Sequence, residues 1–273
     1  MSTGVSRRRP LSVVLAFLLF AGSAGPFAGQ AAAAAPTFAY EVSGPRDFVA
    51  QTNFVQCVGA SMQMMLNIVR PRDDRTAATQ LQLQEIAREL SGQRPDGRER
   101  QGASVRGWTA GLNLLGAGPY RLVGTATLDE ALRVAARAIR ETRHPVGLLV
   151  WRGRHAWVMS GFEATGDPLL GEPFDVTGAV ILDPLYPHGS KVWGPSPKPR
   201  ETLTPATVGK QFVPRGRWGT PPGEPTPTAP PVSDPSAANG GVTAAWGGLS
   251  GKYVLVLPYI AIPAPQATGL VAR

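Results

Sequence analysis

The chain has one cysteine and three histidines in 273 residues. One cysteine excludes an internal disulfide, and dispersed histidines do not make a zinc ligand set. Charged residues are 17% of the sequence, and there is no compact basic tract of the kind that tracks nucleic acid. The formal net charge is +8, with three of the positives at Arg7, Arg8 and Arg9; because no acid precedes Glu41, removing residues 1–35 would leave +5. That excess permits a neighbouring anionic surface such as a cell envelope, but over 85–106 arginine and acid alternate as on an ordinary solvated face. No glycine-rich phosphate cradle is present, and neither cofactor nor metal is expected. Long apolar runs are also missing. The one candidate, Leu11–Phe20, is ten residues, too short to span a bilayer.

That apolar run has a cationic lead and is followed by small residues ending in Ala31–Ala35. The combination is that of a secretory signal, with cleavage expected between Ala33 and Pro36. The mature chain is then extracytoplasmic, secreted or held at the envelope, in an oxidising compartment. No later segment reads as a membrane span. An exposed thiol there is vulnerable to oxidation, so Cys57 is expected to be either buried or kept for chemistry.

At 43% hydrophobic residues the chain can build a core, while 27 prolines and 32 glycines imply much loop. Residues 36–261 are expected to form a single α+β domain. Phe38–Val42 reads as a short strand. Helical spacing predicts helices over 57–69, 81–91, 104–115 and 127–142, the first stopped by Pro71 and the last opened by the capping-box spacing Thr127-Leu-Asp-Glu130. The period then changes. Strands are expected at 145–151, 155–162 and 179–183, the first two as a hairpin around Arg152-Gly-Arg154. Helices first and an antiparallel sheet second is an α+β layout, with an N-terminal helical half on a C-terminal sheet. A short helix is expected near Thr204. The Pro/Thr-rich insertion at 219–238 is expected to be extended or disordered, with a last strand at 251–258 returning to the same sheet and a frayed tail at 262–273.

Cys57 stands where an irregular, polar approach becomes an apolar helix. Val58, Met62, Met65, Leu66 and Val69 follow it at helical spacing. A thiol at a helix N-terminus faces unpaired N–H groups and the positive dipole end, which favour thiolate over thiol. The bland alternative is an inert buried thiol. A cysteine nucleophile needs a base and something to orient that base. His144 precedes a proline and His188 lies in a Gly/Pro-rich loop. His155 opens a strand, a rigid mount for a base. Asp183 ends the neighbouring strand, where it is expected to accept Nδ1–H and turn Nε2 toward the thiol. Gln51 is expected to join the Cys57 N–H as an oxyanion donor. By strand alternation Trp157 shares the His155 face; of the six tryptophans, each either core or groove, it is the one placed to matter to the site.

Gln51-x5-Cys57 before a helix, His155-Ala-Trp-Val158 opening a strand, and Val180-Ile-Leu-Asp183-Pro184 ending the next resemble the papain-like peptidases, and within them the C39-like cysteine peptidases. The resemblance covers about residues 38–190 and the last strand. It implies a papain-like fold and acyl transfer: Cys57 attacks, His155 serves as base and then acid, Asp183 orients it, and Gln51 lines the oxyanion hole. The substrate is then a peptide or protein. This chain differs from the family pattern in having Gln56 before the cysteine and Val58-Gly59 after it. The alternative is a non-catalytic binding or envelope-associated module on the same fold, in which Cys57 is sealed and far from His155.

Overall fold

Four of the five α-helices among the described residues begin where a side chain satisfies a free amide. Thr76, Ser104, Thr127 and Thr204 are N-caps, accepting from the N–H of Thr79, Gly107, Glu130 and Thr207 respectively. They open α2 (Ala77–Glu89), α3 (Val105–Leu114), α4 (Leu128–Thr142) and α5 (Pro205–Val208). The first helix, α1 (Cys57–Val69), has no side-chain cap. It ends at Arg70, whose extended backbone is what a following proline demands. In this computed structural model the described residues are 38–70, 72–94, 97–216 and 246–260. They fall in one of two compact units, Ala34–Arg273. The expected signal, the Pro/Thr-rich insertion and the tail lie outside them. Pro71 is also outside.

The strands are β1 (Phe38–Glu41), β2 (Tyr120–Thr125), β3 (Val146–Val150), β4 (His155–Ala164), β5 (Val176–Leu182), β6 (Gly189–Ser190), β7 (Gly194–Pro195), β8 (Glu201–Leu203) and β9 (Tyr253–Pro258). The main sheet runs β2-β9-β3-β4-β5-β8 and is antiparallel throughout; β1 also pairs with β4, beyond the end of β3. Register puts Val150 opposite His155, so the β3–β4 hairpin ends where His155 begins. A separate two-stranded ribbon joins β6 to β7.

An α+β fold with N-terminal helices against an antiparallel sheet is therefore present, with two amendments. Helix α4 does not join α1–α3. It packs with Leu148, Trp157, Met159, Ile181 and Leu255 on one sheet face, while α1, α2 and α3 pack with Leu149, Val158, Leu182, Val254 and Val256 on the other. Alternating residues of one strand thus feed two cores, and β3, buried at every position, reads as a continuous apolar run. The second amendment is that β2 and β1 bring N-terminal segments into the sheet.

Three boundaries differ from the periodicity. Helix α2 starts at Ala77 rather than 81, because Asp74 and Thr76 build a capping network: Asp74 accepts from the Thr76 and Thr79 hydroxyls and from Gln63. Those bonds hold the Asp74 carboxyl below the usual carboxylate range, the Thr76 amide contributing most. The strand β2 was not legible, since Tyr120–Thr125 alternates weakly and is recruited by β9. Strand β5 begins at Val176, so the loop before it spans 165–175.

The helices on the α1 face touch closely through glycines. A Cβ on Gly107 would stand 1.9 Å from the Ala87 carbonyl oxygen of α2, and one on Gly59 would stand 2.7 Å from that of Gln80. Gly107→Ala is expected to lower stability by about 2 kcal/mol in urea unfolding, overpacking outweighing the gain in helix propensity. An unchanged midpoint refutes the close approach of α2 and α3.

Candidate functional site

The segment 50–59 carries the nucleophile candidate and has little regular structure before Cys57. Two buried glutamines of α2, one turn apart, hold it. Gln80 donates from Nε2 to the Ala50 carbonyl at 2.9 Å and accepts from the Thr52 N–H at 2.8 Å. Gln84 donates to the Val55 carbonyl at 3.0 Å and accepts from the Gly59 N–H at 2.8 Å. From the other side, the Gln51 N–H donates to the Pro184 carbonyl at 2.7 Å. The approach to Cys57 is thereby fixed both to α2 and to the chain just past β5.

Cys57 is the first residue of α1 and its side chain is half-buried. Gly59 gives its N–H to Gln84, and Ala60 returns its own to the Gln56 carbonyl at 3.0 Å. The N–H groups of Cys57 and Val58 head the helix, where geometry supplies no helical acceptor. The first turn holds no acidic residue to offset the positive dipole end.

His155 and Asp183 meet at the end of β4 and β5. The imidazole is 4% exposed and the carboxylate not at all. Asp183 Oδ1 accepts from His155 Nε2 at 2.7 Å and from the Leu185 N–H at 2.9 Å. The Cys57 sulfur lies close enough to the same ring to raise its pKa. With Nε2 committed to Asp183, Nδ1 is the nitrogen left for the sulfur. The expected orientation is thus reversed: Asp183 sits on Nε2, which leaves Nδ1 for the thiol. The cause is the mount. A ring at the first position of β4 reaches the Asp183 carboxylate with its distal nitrogen.

Burial alone would depress the imidazole pKa, but the hydrogen bond accepted by Asp183 and the neighbouring Cys57 sulfur, reinforced by the charges of both groups, lift it to about 9. A raised folded-state value contributes stability that is complete below the ordinary 6.5 and lost as pH rises through about 9.

The Gln51 carboxamide bonds within its own turn. Its Nε2 donates to the Asn53 carbonyl at 2.8 Å, and its Oε1 is buried without a partner. Asn53 O also accepts the Gln56 N–H at 3.3 Å, closing the turn before the helix. Gln56 is buried, and its Oε1 accepts from the Thr52 hydroxyl. The structure therefore joins His155 to Asp183 through side chains, sets the Cys57 sulfur close enough to act on that ring, and ties Gln51 to Pro184 through the backbone.

Trp157 is not at a groove. It is fully buried among the α4-face residues. The aromatic on the imidazole is Trp151, stacked at 4.2 Å between ring centroids and 25° between planes. Sequence reasoning placed Trp151 at a strand end and missed this role. The available signal was its position four residues before His155, across a tight hairpin. The glutamine pair was missed too, although polar residues four apart on a buried helix face are its mark. His144 and His188 stand apart: His144 Nδ1 lies 2.6 Å from the Thr142 carbonyl, and His188 is in the β5–β6 connection.

Among the described residues no group of three or more His, Cys, Asp and Glu side chains is arranged around a metal position, and no helix is long and apolar enough to cross a membrane. Comparison with family models, curated proteins and solved structures gave no match.

Two outcomes follow from this geometry. Gln84→Leu leaves the Gly59 N–H and Val55 carbonyl without their partner and is expected to cost about 2 kcal/mol in urea unfolding; a loss under about 0.5 kcal/mol, the size of an ordinary surface change, rejects the clamp. The urea midpoint is expected to fall between pH 6.5 and 9 in the parent chain, and to fall less in His155→Gln, which keeps a donor for Asp183 but does not titrate. Parallel pH profiles in the two proteins would dismiss His155 as the group responsible.

Proposed function

We propose that the chain is a secreted, papain-like cysteine peptidase or amide hydrolase of the C39-like kind, acting on a peptide or protein. The observation that carries this reading is the buried His155–Asp183 pair, with the Cys57 sulfur near enough to the imidazole to raise its pKa. The half-buried sulfur favours catalysis over the binding-module alternative, whose mark is a sealed cysteine remote from histidine.

In this reading the Cys57 sulfur reacts as thiolate while His155 holds the proton, a cation that buried Asp183 favours. The sulfur attacks the substrate carbonyl carbon. A C–S bond forms and the carbonyl π pair moves to oxygen. The Cys57 N–H holds that oxyanion, joined by Gln51, whose carboxamide has a second N–H beyond the one given to Asn53. As the C–N bond breaks, His155 passes its Nδ1 proton to the leaving nitrogen. Water then attacks the thioester, gives its proton to Nδ1, and the thiolate departs. Secretion rests on the N-terminal signal pattern, and envelope association on the positive charge of residues 36–273.

Iodoacetamide alkylation of Cys57 tests the pairing directly. At pH 6–7 the rate is expected to exceed that of the urea-unfolded chain by about tenfold or more, and His155→Gln is expected to remove the excess. Hydrolysis of a fluorogenic peptide library should disappear in Cys57→Ala. Equal, slow alkylation of folded, unfolded and His155→Gln chains would end the proposal.

A further inference from the structure

The turn between β3 and β4 is built in an unusual way. Trp151, Arg152 and Gly153 all lie in the left-handed region, at φ 56°, 58° and 96°. Glycine adopts that conformation freely, whereas each non-glycine residue costs about 1 kcal/mol there. A hairpin needs no tryptophan at such a position, and strain at a non-glycine residue is worth reading for function.

What holds Trp151 in place is one residue, Gln211, which is 8% exposed. The Trp151 N–H donates to the Gln211 carbonyl at 2.9 Å, and the indole Nε1–H donates to Gln211 Oε1 at 2.8 Å. Gln211 has no polar group to spare. Its N–H donates to the Val208 carbonyl at 3.0 Å, and its Nε2 donates to the Pro195 carbonyl, also at 3.0 Å. Backbone and side chain of the tryptophan are thus gripped by backbone and side chain of one glutamine. The glutamine is itself anchored to α5 and to the β6–β7 ribbon. The surface so fixed is the indole face lying on His155.

We infer that Trp151, clamped by Gln211, is a positioning residue for His155: it fixes the plane of the imidazole so that Nε2 stays on Asp183 while the other nitrogen faces Cys57. Three contacts define the ring, an acceptor at each edge and the indole across a face. Two edge bonds leave the ring free to tilt about the line joining its nitrogens, and the plate removes that freedom. The indole face also favours the protonated ring through its quadrupole and keeps water from the His155–Asp183 bond. This inference rests on the proposed pairing of Cys57 with His155.

The test is the pH dependence of Cys57 alkylation by iodoacetamide, on the chain lacking residues 1–35, in Trp151→Leu, Trp151→Phe and Gln211→Met. Cys57 and Asp183 are the titratable groups that touch the ring. Arg152 and Arg154 share the turn, and Arg215 packs on Gly153, and all three are left in place in every variant. Trp151→Leu retains an apolar filler without the plate. It is expected to lose about tenfold in rate at pH 6–7 and to shift the acid limb of the profile, at unchanged circular dichroism. Trp151→Phe retains a plate and is expected within about threefold of the parent. Gln211→Met keeps the volume, drops both side-chain bonds, and is expected to fall between them; it decides the matter if Trp151→Leu does not fold. Parent-like rates in Trp151→Leu and Gln211→Met overturn the inference and leave the Cys57–His155 pairing standing. A parent chain no faster than its unfolded form brings down the pairing first.

Discussion

A carboxylate with no exposed surface is the group that the end of the sheet has to satisfy. Asp183 sits at the end of β5 with one oxygen bonded to His155 and Leu185 and the other without a partner. Removing a charge from water costs several kcal/mol unless it is closely compensated. The compensation is a histidine that remains protonated well above its ordinary pKa. Everything about the sheet end serves that pair: the register of β3 with β4, the extension of β5 toward Asp183, and the turn that lays an indole over the ring. A proton held on the imidazole by a buried acid is available on the ring's other nitrogen, the one left for the thiol.

The second requirement is to bring an irregular segment to that place and keep it there. Main-chain groups that lack helix or sheet partners must find others. Here two glutamine carboxamides act as substitutes for a strand, each matching one donor and one acceptor of the 50–59 segment. Gly59 lets α2 approach closely enough for those bonds to be made. The Gln51 N–H ties the same segment to Pro184, so movement of the approach loop and movement of the acid are coupled.

The elements that could be read from the amino-acid order were those whose signals are local. Helix α1 runs over 57–69 as its apolar spacing predicts, and Ser104 and Thr127 cap α3 and α4. Strands β3, β4 and β9 were legible as short apolar runs. What was not legible depends on partners distant in the chain. Strand β2 exists because β9 pairs with it, and α4 crosses to the opposite face because β4 and β9 offer two apolar sides. Cys57, His155 and Asp183 were singled out by residue type and element, and His155 does meet Asp183, whereas the nitrogen that Asp183 takes depends on ring geometry that spacing does not encode. Trp157 and Trp151 were exchanged for the same reason: alternation assigns a face along a strand but is silent at the hairpin, where the backbone turns left-handed.

Strand β9 lies between β2 and β3, pairing Val254 and Val256 with both neighbours' rows, yet it comes more than a hundred residues after either. Until Tyr253–Pro258 has been made, β2 lacks its sheet partner and one edge of β3 stays open. The order of synthesis therefore delays assembly of the domain: a chain growing from its N-terminus has the cysteine, the histidine and the aspartate long before it has the strand that completes the sheet beneath them.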